Sequence, residues 1–339
     1  MKKAFIIFLL GLTVQNSFGQ QKSVYSNYML NEYYYSPALA GSKNFHIANA
    51  GVRNQWTGFK DAPSTMHINF FGSYKNKMKH GYGVSLVSDK TGLLQQTGIF
   101  LNYAYHIKLT DKIKVGLGVK PGYLMYDVKL YNAQLADVGD QLLTGNVLST
   151  NAFDISSGLN VYSDKFFVRL SMHQILGDRI KFTDFNSGLS RHYTAIAGLN
   201  LSKKKAKVKS DSLNGGKIVE TKFIEKLVFQ PSVMVNYVQP IPLQVSMMFK
   251  VTYNDKIWMG ANYRTDDALG GSLGVIIDSR FSIAYGYDYS FGQIKGFQGG
   301  SHEIMLSFIT SKKKGSLDKK DEELNNRIFN DNKRGKKKK

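Results

Sequence analysis

The chain has no cysteine, only 6 prolines and only 2 tryptophans in 339 residues. Without thiols there is no disulfide scaffold, no cysteine-type structural zinc, no iron–sulfur cluster and no thiol catalysis. Beyond residue 19 there is also no run of about 18 apolar residues, so no transmembrane helix is expected. The seven histidines (His46, His67, His80, His106, His173, His192 and His302) form no i, i+4 metal pair and no HExxH motif, and G-x-S-x-G is missing. These absences predict a chain with no enzymatic activity, no cofactor and no metal. What it does have is 20 Tyr, 21 Phe, 32 Gly and 42% hydrophobic residues. That is too much apolar surface for a disordered chain.

Residues 1–19 open with Met1, Lys2 and Lys3, continue with an apolar stretch from Ala4 to Val14, and end in Ser17, Phe18 and Gly19. A basic start, a short apolar centre and small residues three and one positions before Gln20 predict a signal peptide cleaved near Gly19/Gln20. Export changes how the net charge of +20 is read. A basic protein outside the cytoplasm is not expected to bind nucleic acid. The charge is also concentrated: residues 312–339 carry 12 Lys/Arg against 5 Asp/Glu, and residues 203–226 carry 8 against 3.

Along the rest of the chain, apolar and small or polar residues alternate with period 2 over segments of roughly ten residues. In one of them Phe281, Ile283, Tyr285, Tyr287, Tyr289 and Phe291 alternate with Ser282, Ala284, Gly286, Asp288 and Ser290. In another, Ile113, Val115, Leu117, Val119, Pro121 and Tyr123 alternate with Lys114, Gly116, Gly118, Lys120 and Gly122. About fourteen such segments occur between residues 44 and 310. An exported all-β chain with one apolar, aromatic face and one small, polar face predicts a transmembrane antiparallel β-barrel of about 14 strands in the outer membrane, in contact with outer-membrane lipid.

Loop lengths set an expected orientation, because such barrels have short periplasmic turns and longer outer loops. The connections 54–63, 127–151 and 175–189 are expected outside. Those near 109–111, 163, 254–255 and 279 are expected in the periplasm. The basic stretch 203–222 is read as a periplasmic connection, and residues 311–339 as a basic periplasmic tail. The expected inward charges are Lys114, Lys120, Asp154, Arg169, Lys250, Arg264, Asp278, Asp288 and Glu303. Residues 20–43 do not alternate, yet hold Tyr25, Tyr28, Tyr33, Tyr34 and Tyr35. So many tyrosines in a non-strand segment seek burial, and a 14-strand barrel leaves room inside. This segment is therefore expected to act as a plug in or across the periplasmic mouth. The division expected is 1–19 signal peptide, 20–43 plug-like segment, 44–310 barrel and 311–339 tail.

Several motifs resemble those of the PorP/SprF family of outer-membrane proteins from the type IX secretion system of Bacteroidetes. Ser36-Pro37-Ala38-Leu39-Ala40-Gly41-Ser42 is similar to that family's N-P-A-x-x-G-S motif, with Ser36 in place of Asn. Arg53-Asn54-Gln55-Trp56-Thr57-Gly58 matches R-x-Q-W-x-G and is followed by Ala62-Pro63 and Thr65. Gly81-Tyr82-Gly83, Asp89, Gly92, Tyr103-Ala104-Tyr105 and Ser301-His302-Glu303-Ile304-Met305-Leu306 also fit.

The resemblance covers roughly residues 24–310. It implies a component of type IX secretion and gliding motility that exports or retains large adhesins carrying a B-type C-terminal domain. It also implies contacts with periplasmic secretion or gliding components or peptidoglycan-associated proteins. Arg53, Gln55, Trp56, Gly58 and Pro63, on the first outer turn, are the expected partner-binding residues, since Trp and Arg recur as interface anchors. The competing expectation is an outer-membrane transporter for small hydrophobic or polar solutes.

Overall fold

In a computed structural model of the chain, residues 23–76, 78–129, 147–177, 179–181, 186–212, 218–277, 280–291, 296 and 298–310 are described. For residues 76, 179–181, 186–187, 204–212 and 218–225 this description covers the backbone alone. The expected signal peptide, the basic tail, Asp278 and the centre of the expected loop 127–151 lie outside the described residues.

Fourteen antiparallel strands run in chain order around one closed sheet: β1 (Ile47–Asn54), β2 (Ser64–Ser73), β3 (His80–Thr91), β4 (Leu94–Lys108), β5 (Lys114–Lys129), β6 (Val147–Tyr162), β7 (Phe166–His173), β8, β9 (Ile218–Val238), β10 (Ile241–Tyr253), β11 (Ile257–Arg264), β12 (Ala268–Ile277), β13 (Phe281–Ser290) and β14 (Ser301–Ile309). Strand β8 comprises His192–Leu199 and Leu201–Ser212, interrupted at Asn200, and both parts pair with β9. Each strand pairs with the next. The ring closes where β14 pairs with β1, from Ile47↔Ile309 to Asn54↔His302. A closed ring leaves no strand edge unpaired in hydrocarbon, the condition a β-structure must meet to cross a bilayer.

The alternation sorts side chains as the sequence predicts. On β13, Phe281, Ile283, Tyr285, Tyr287 and Tyr289 are exposed on the outer wall, while Ala284, Gly286, Asp288 and Ser290 are buried inside. The outer wall is an almost unbroken apolar belt, including Met66, Ile68, Leu86, Leu101, Leu117, Leu170, Met247, Met259, Leu273 and Ile304. Tyrosines sit toward both edges of this belt. Tyr82 and Tyr103 are near one rim, where their hydroxyls meet His46 at 2.6 Å and His80 at 2.8 Å. Tyr263 and Phe291 stack near the other, with centroids 6.1 Å apart. Amphipathic rings at the two edges of an apolar band match the aromatic girdles of membrane barrels.

The strand directions define two rims. One carries both ends of the barrel and the connections 74–79, 109–113, 163–165, 254–256 and 278–280. The opposite rim carries the turns 55–63, 92–93, 239–240 and 265–267, the strand ends at Lys129 and Val147, and the described parts of 174–191 and 291–300. Within 174–191 a short hairpin pairs Arg179–Lys181 with Asn186–Gly188, and Leu189 packs inward against Leu124, Tyr126 and Ala152. The stretch 203–222 corrects the sequence reading. It is not a loose connection: β8 runs to Ser212 and β9 begins at Ile218, so the two form a long ribbon. The lysine density of the stretch had obscured its strand character, since lysine is depleted in strands.

Candidate functional site

The interior of the barrel is occupied by its own N-terminal segment. Residues 23–45 run through the lumen from Ser23, which donates to Asp89 near the opposite rim, down to the start of β1, and include one helical turn, α1 (Glu32–Tyr35), followed by a 3-10 turn, Pro37–Leu39. Tyr25, Tyr28, Tyr33, Tyr34 and Tyr35 are all buried. Their rings pack on one another and on the wall: Tyr25 meets Tyr34 edge-on at 5.0 Å, and Tyr33 stacks on Phe71 at 4.1 Å. Phe167, Ile196, Met234 and Met248 complete one apolar cluster around Tyr25, Tyr28, Tyr34 and Tyr35. Burial pushes the Tyr28 phenol up to about 12 and raises the other four above the ordinary tyrosine value, so all five stay neutral.

A polar lumen can hold this segment only if the segment's backbone groups find partners. The wall supplies them. Asn102 donates to the Pro37 carbonyl at 2.9 Å, and His106 Nε2 donates to the Ala40 carbonyl at 2.6 Å. That bond assigns the His106 tautomer, with Nδ1 left to accept from the Tyr162 hydroxyl at 3.1 Å. Asn69 donates to the Asn31 side chain at 3.2 Å, and Tyr28 meets Ser232 at 2.8 Å. Lys120 lies 4.8 Å from the centre of the Tyr33 ring. The inner-face glycines make space: a Cβ on Gly118 would collide with the backbone of Pro37 and Ala38, and one on Gly81 with Ala40 and Gly41. The motif 36–42 is thus the part of the plug that lies against the wall glycines, and its close backbone approach explains the need for small residues there.

One ion pair and one hydrogen-bonded cluster fasten the plug at different points of the wall. Glu32 meets Arg169 of β7 at 2.8 Å. On the other side Ser26 sits in a cluster formed by β1, β11, β13 and β14. Arg53 Nη1 donates to Ser26 Oγ at 2.7 Å and meets Glu303 at 3.2 Å, while Nη2 meets Asp288 at 2.9 Å. The Ser26 amide donates to Glu303 at 3.1 Å, and its hydroxyl donates to Asp288. Arg264 reaches Asp288 at 3.3 Å, and Asn262 donates to the other Asp288 oxygen at 3.2 Å. Arg53, Asp288 and Glu303 are each about 1% exposed. Charges this deep are tolerated because each is paired and hydrogen-bonded.

The expected partner-binding residues divide. Arg53 does not belong to the outer turn. Its register opposite Glu303 turns it into the lumen, which corrects its expected role as a surface anchor. Gln55, Trp56, Gly58 and Pro63 do lie on the β1–β2 turn, half-buried or exposed. The Gln55 amide donates to the Pro63 carbonyl at 2.8 Å, Thr57 exchanges backbone bonds with Gly299 and Gly300, and the Trp56 amide donates to Ser301 Oγ at 3.2 Å. Trp56 has φ +48°, uncommon for a bulky residue, and is held there by these bonds. Of the expected inward charges, Lys120, Asp154, Arg169, Arg264, Asp288 and Glu303 are buried, whereas Lys114 and Lys250 are half-buried. Sequence reasoning missed Ser26 and Glu32. Glu32 had one signal, a lone acid among tyrosines that must be buried; Ser26 had none.

A closed fourteen-strand sheet with an apolar outer wall, aromatic edges and a polar interior defines an outer-membrane β-barrel, here with its lumen filled by its own N-terminal segment. Residues 17–308 match the model of type IX secretion system membrane protein PorP/SprF, and the chain belongs to that family. No curated protein sequence matches it. Among solved structures it resembles the outer membrane protein Omp33 of Acinetobacter baumannii (9% identity, 79% of this chain, 99% of that one, TM-score 0.40). It also resembles a Pseudomonas aeruginosa FadL homologue (10%, 81% and 91%, TM-score 0.38) and the Pseudomonas putida toluene transporter TodX (9%, 86% and 94%, TM-score 0.37).

Proposed function

We propose that this barrel binds and retains a secreted surface adhesin through the adhesin's B-type C-terminal domain, serving type IX export and gliding motility, and that it carries out no chemistry and conducts no solute of its own. The observation that supports retention over transport is the plug: residues 23–45 fill the lumen and are pinned by Arg53, Asp288, Glu303 and Arg169. A solute channel needs a continuous path, and the buried plug stands in the lumen where that path would run. In this reading the rim with the longer connections faces outward, with Gln55, Trp56, Gly58 and Pro63 on its first turn. The rim where β1 starts and β14 ends faces the periplasm and its secretion or peptidoglycan-associated components, and the mature chain starts near Gln20, shortly before the plug.

The test pairs two measurements. Deleting the gene in its host and scanning surface proteins by mass spectrometry should remove a specific adhesin. The pure barrel in liposomes should leave small-solute permeability at background. An unchanged surface proteome together with solute flux would overturn the proposal in favour of transport.

A further inference from the structure

Strands β8 and β9 do not stop with their neighbours. The last β7 partner of β8 is Phe166, opposite Leu199, and the last β10 partner of β9 is Tyr253, opposite Leu227. Beyond these the two strands go on pairing only with each other. Past Lys204↔Lys226, where the Lys226 carbonyl still accepts from the Asn254 amide, eight further rungs, from Lys205↔Glu225 to Ser212↔Ile218, extend beyond the rim where β1 starts and β14 ends. At about 3.3 Å per residue the ribbon reaches roughly 25 Å beyond the neighbouring strands. Among the described residues, neither outer edge of this extension has a partner strand.

Free edges invite another strand, and proteins usually blunt them. Here the two edges differ in charge. Residues 201–212 of β8 hold five lysines, at 203, 204, 205, 207 and 209, against Asp211 alone. Residues 218–226 of β9 hold Lys222 and Lys226 against Glu220 and Glu225, a neutral set. The lysines at 203, 205, 207 and 209 occupy alternate positions, the spacing at which an added strand places successive side chains on one face. The chain's two terminal segments, residues 1–22 and 312–339, are both basic and so are unsuitable occupants, and the acidic stretch 130–146 connects strand ends at the opposite rim.

We propose that the β8 edge, Leu201–Ser212, is a docking site for an extended acidic segment of a partner protein, which adds to the ribbon as a further strand. Backbone hydrogen bonds supply the pairing and alternate acidic residues meet the lysine series, the usual division of labour in strand addition. The β9 edge, neutral and rich in Ile, Val and Phe, lacks the matching charge. This inference deepens the periplasmic-contact part of the proposed function and rests on its orientation, but its test does not depend on the adhesin.

The full-length barrel in detergent is titrated with a fluorescent peptide of alternating Thr and Glu, read by anisotropy, and amide hydrogen exchange is followed at residues 201–212 and 218–226. Binding should protect the amides of 201–212 and leave the β9 edge unchanged. It should weaken as salt rises and fall at least tenfold in a variant with Lys203, Lys205, Lys207 and Lys209 changed to Thr. It should also be lost when alternate peptide amides are N-methylated. A second variant, with residues 205–225 replaced by Asn-Gly so that the partners Lys204 and Lys226 flank the turn, keeps every barrel rung and should lose binding while remaining folded. Equal binding of the methylated peptide, or of unstructured polyglutamate, would overturn strand addition in favour of plain charge attraction. Unaltered exchange at 201–212 would overturn the site. Adhesin display by the trimmed variant reports on the proposed function separately.

Discussion

Arg53, near the end of the first barrel strand, lies opposite Glu303 on the last, and their side chains meet at 3.2 Å across the seam that closes the ring. The same guanidinium donates to Ser26, so one residue joins the two ends of the sheet and holds the plug to the junction. Asp288 on the adjacent strand completes the site at 2.9 Å.

Removing the cation strips buried Glu303 of its ion-pair partner and leaves Asp288 with Arg264 alone. Arg53→Ala should cost about 3–5 kcal/mol, the range for stripping one partner from a buried pair. Glu303→Gln leaves Arg53 paired with Asp288 and should cost less, about 1.5–3 kcal/mol for a charged hydrogen bond. The shift in the heat-modified band on semi-native gels, where a folded barrel runs ahead of an unfolded one, measures both. Equal stability of wild type and Arg53→Ala would refute the structural role of the cluster.

The plug should keep the barrel shut. Gly118→Val places its extra atoms against the backbone of Pro37 and Ala38, which cannot yield as a flexible side chain would. In planar bilayers the wild type should show no steady conductance, and Gly118→Val or deletion of residues 23–45 should open a path. Because the native chain has no cysteine, single cysteines report cleanly. At position 28 or 34 the thiol should resist a water-soluble maleimide in the wild type and react in Gly118→Val. Reaction in both backgrounds at the same rate would place the plug outside the lumen.

The buried phenols set an alkaline limit. An unfolded tyrosine ionises near pH 10, whereas burial holds Tyr28 to about 12 and raises Tyr25, Tyr33, Tyr34 and Tyr35 as well. Folded-state values above the unfolded one mean that this stability is complete below pH 10 and drains away as pH climbs through 12. Absorbance at 295 nm should show exposed tyrosines ionising first, with the plug tyrosines ionising only as the folded band disappears. A single early transition near pH 10 in a barrel that stays folded would contradict the burial.

On the β1–β2 turn the expected effect is on binding and not on folding. Trp56→Ala removes the largest side chain there, and an interface anchor of this kind is worth about 2 kcal/mol or more, roughly a 30-fold loss of affinity. Adhesin retained at the cell surface, counted by antibody labelling, should fall while the barrel's thermal midpoint moves little. A fall in the midpoint with normal retention would assign Trp56 to the wall alone.

Much of this protein is written in local pattern. The thirteen ordinary strands and the first part of β8 follow from period-2 alternation, because a barrel wall exposes one face to lipid and the other to its interior, and each residue must suit its side. The burial of the tyrosine-rich segment follows from the same accounting: five rings with no strand pattern have nowhere to go in water. The family motifs were legible because they are short and contiguous. Three features were settled only by the tertiary structure. Arg53 meets Glu303 because ring closure fixes their shared rung, and closure joins residues 250 positions apart. The attachment of Ser26 and Glu32 to particular wall charges depends on the plug's path through the lumen, which no periodicity encodes. The ribbon beyond residue 200 reads as a charged loop in isolation, since its strand character rests on cross-strand backbone bonds and not on a buried face. Local pattern decides which side of the wall a residue suits; which distant residues it meets is decided by the register of the closed sheet.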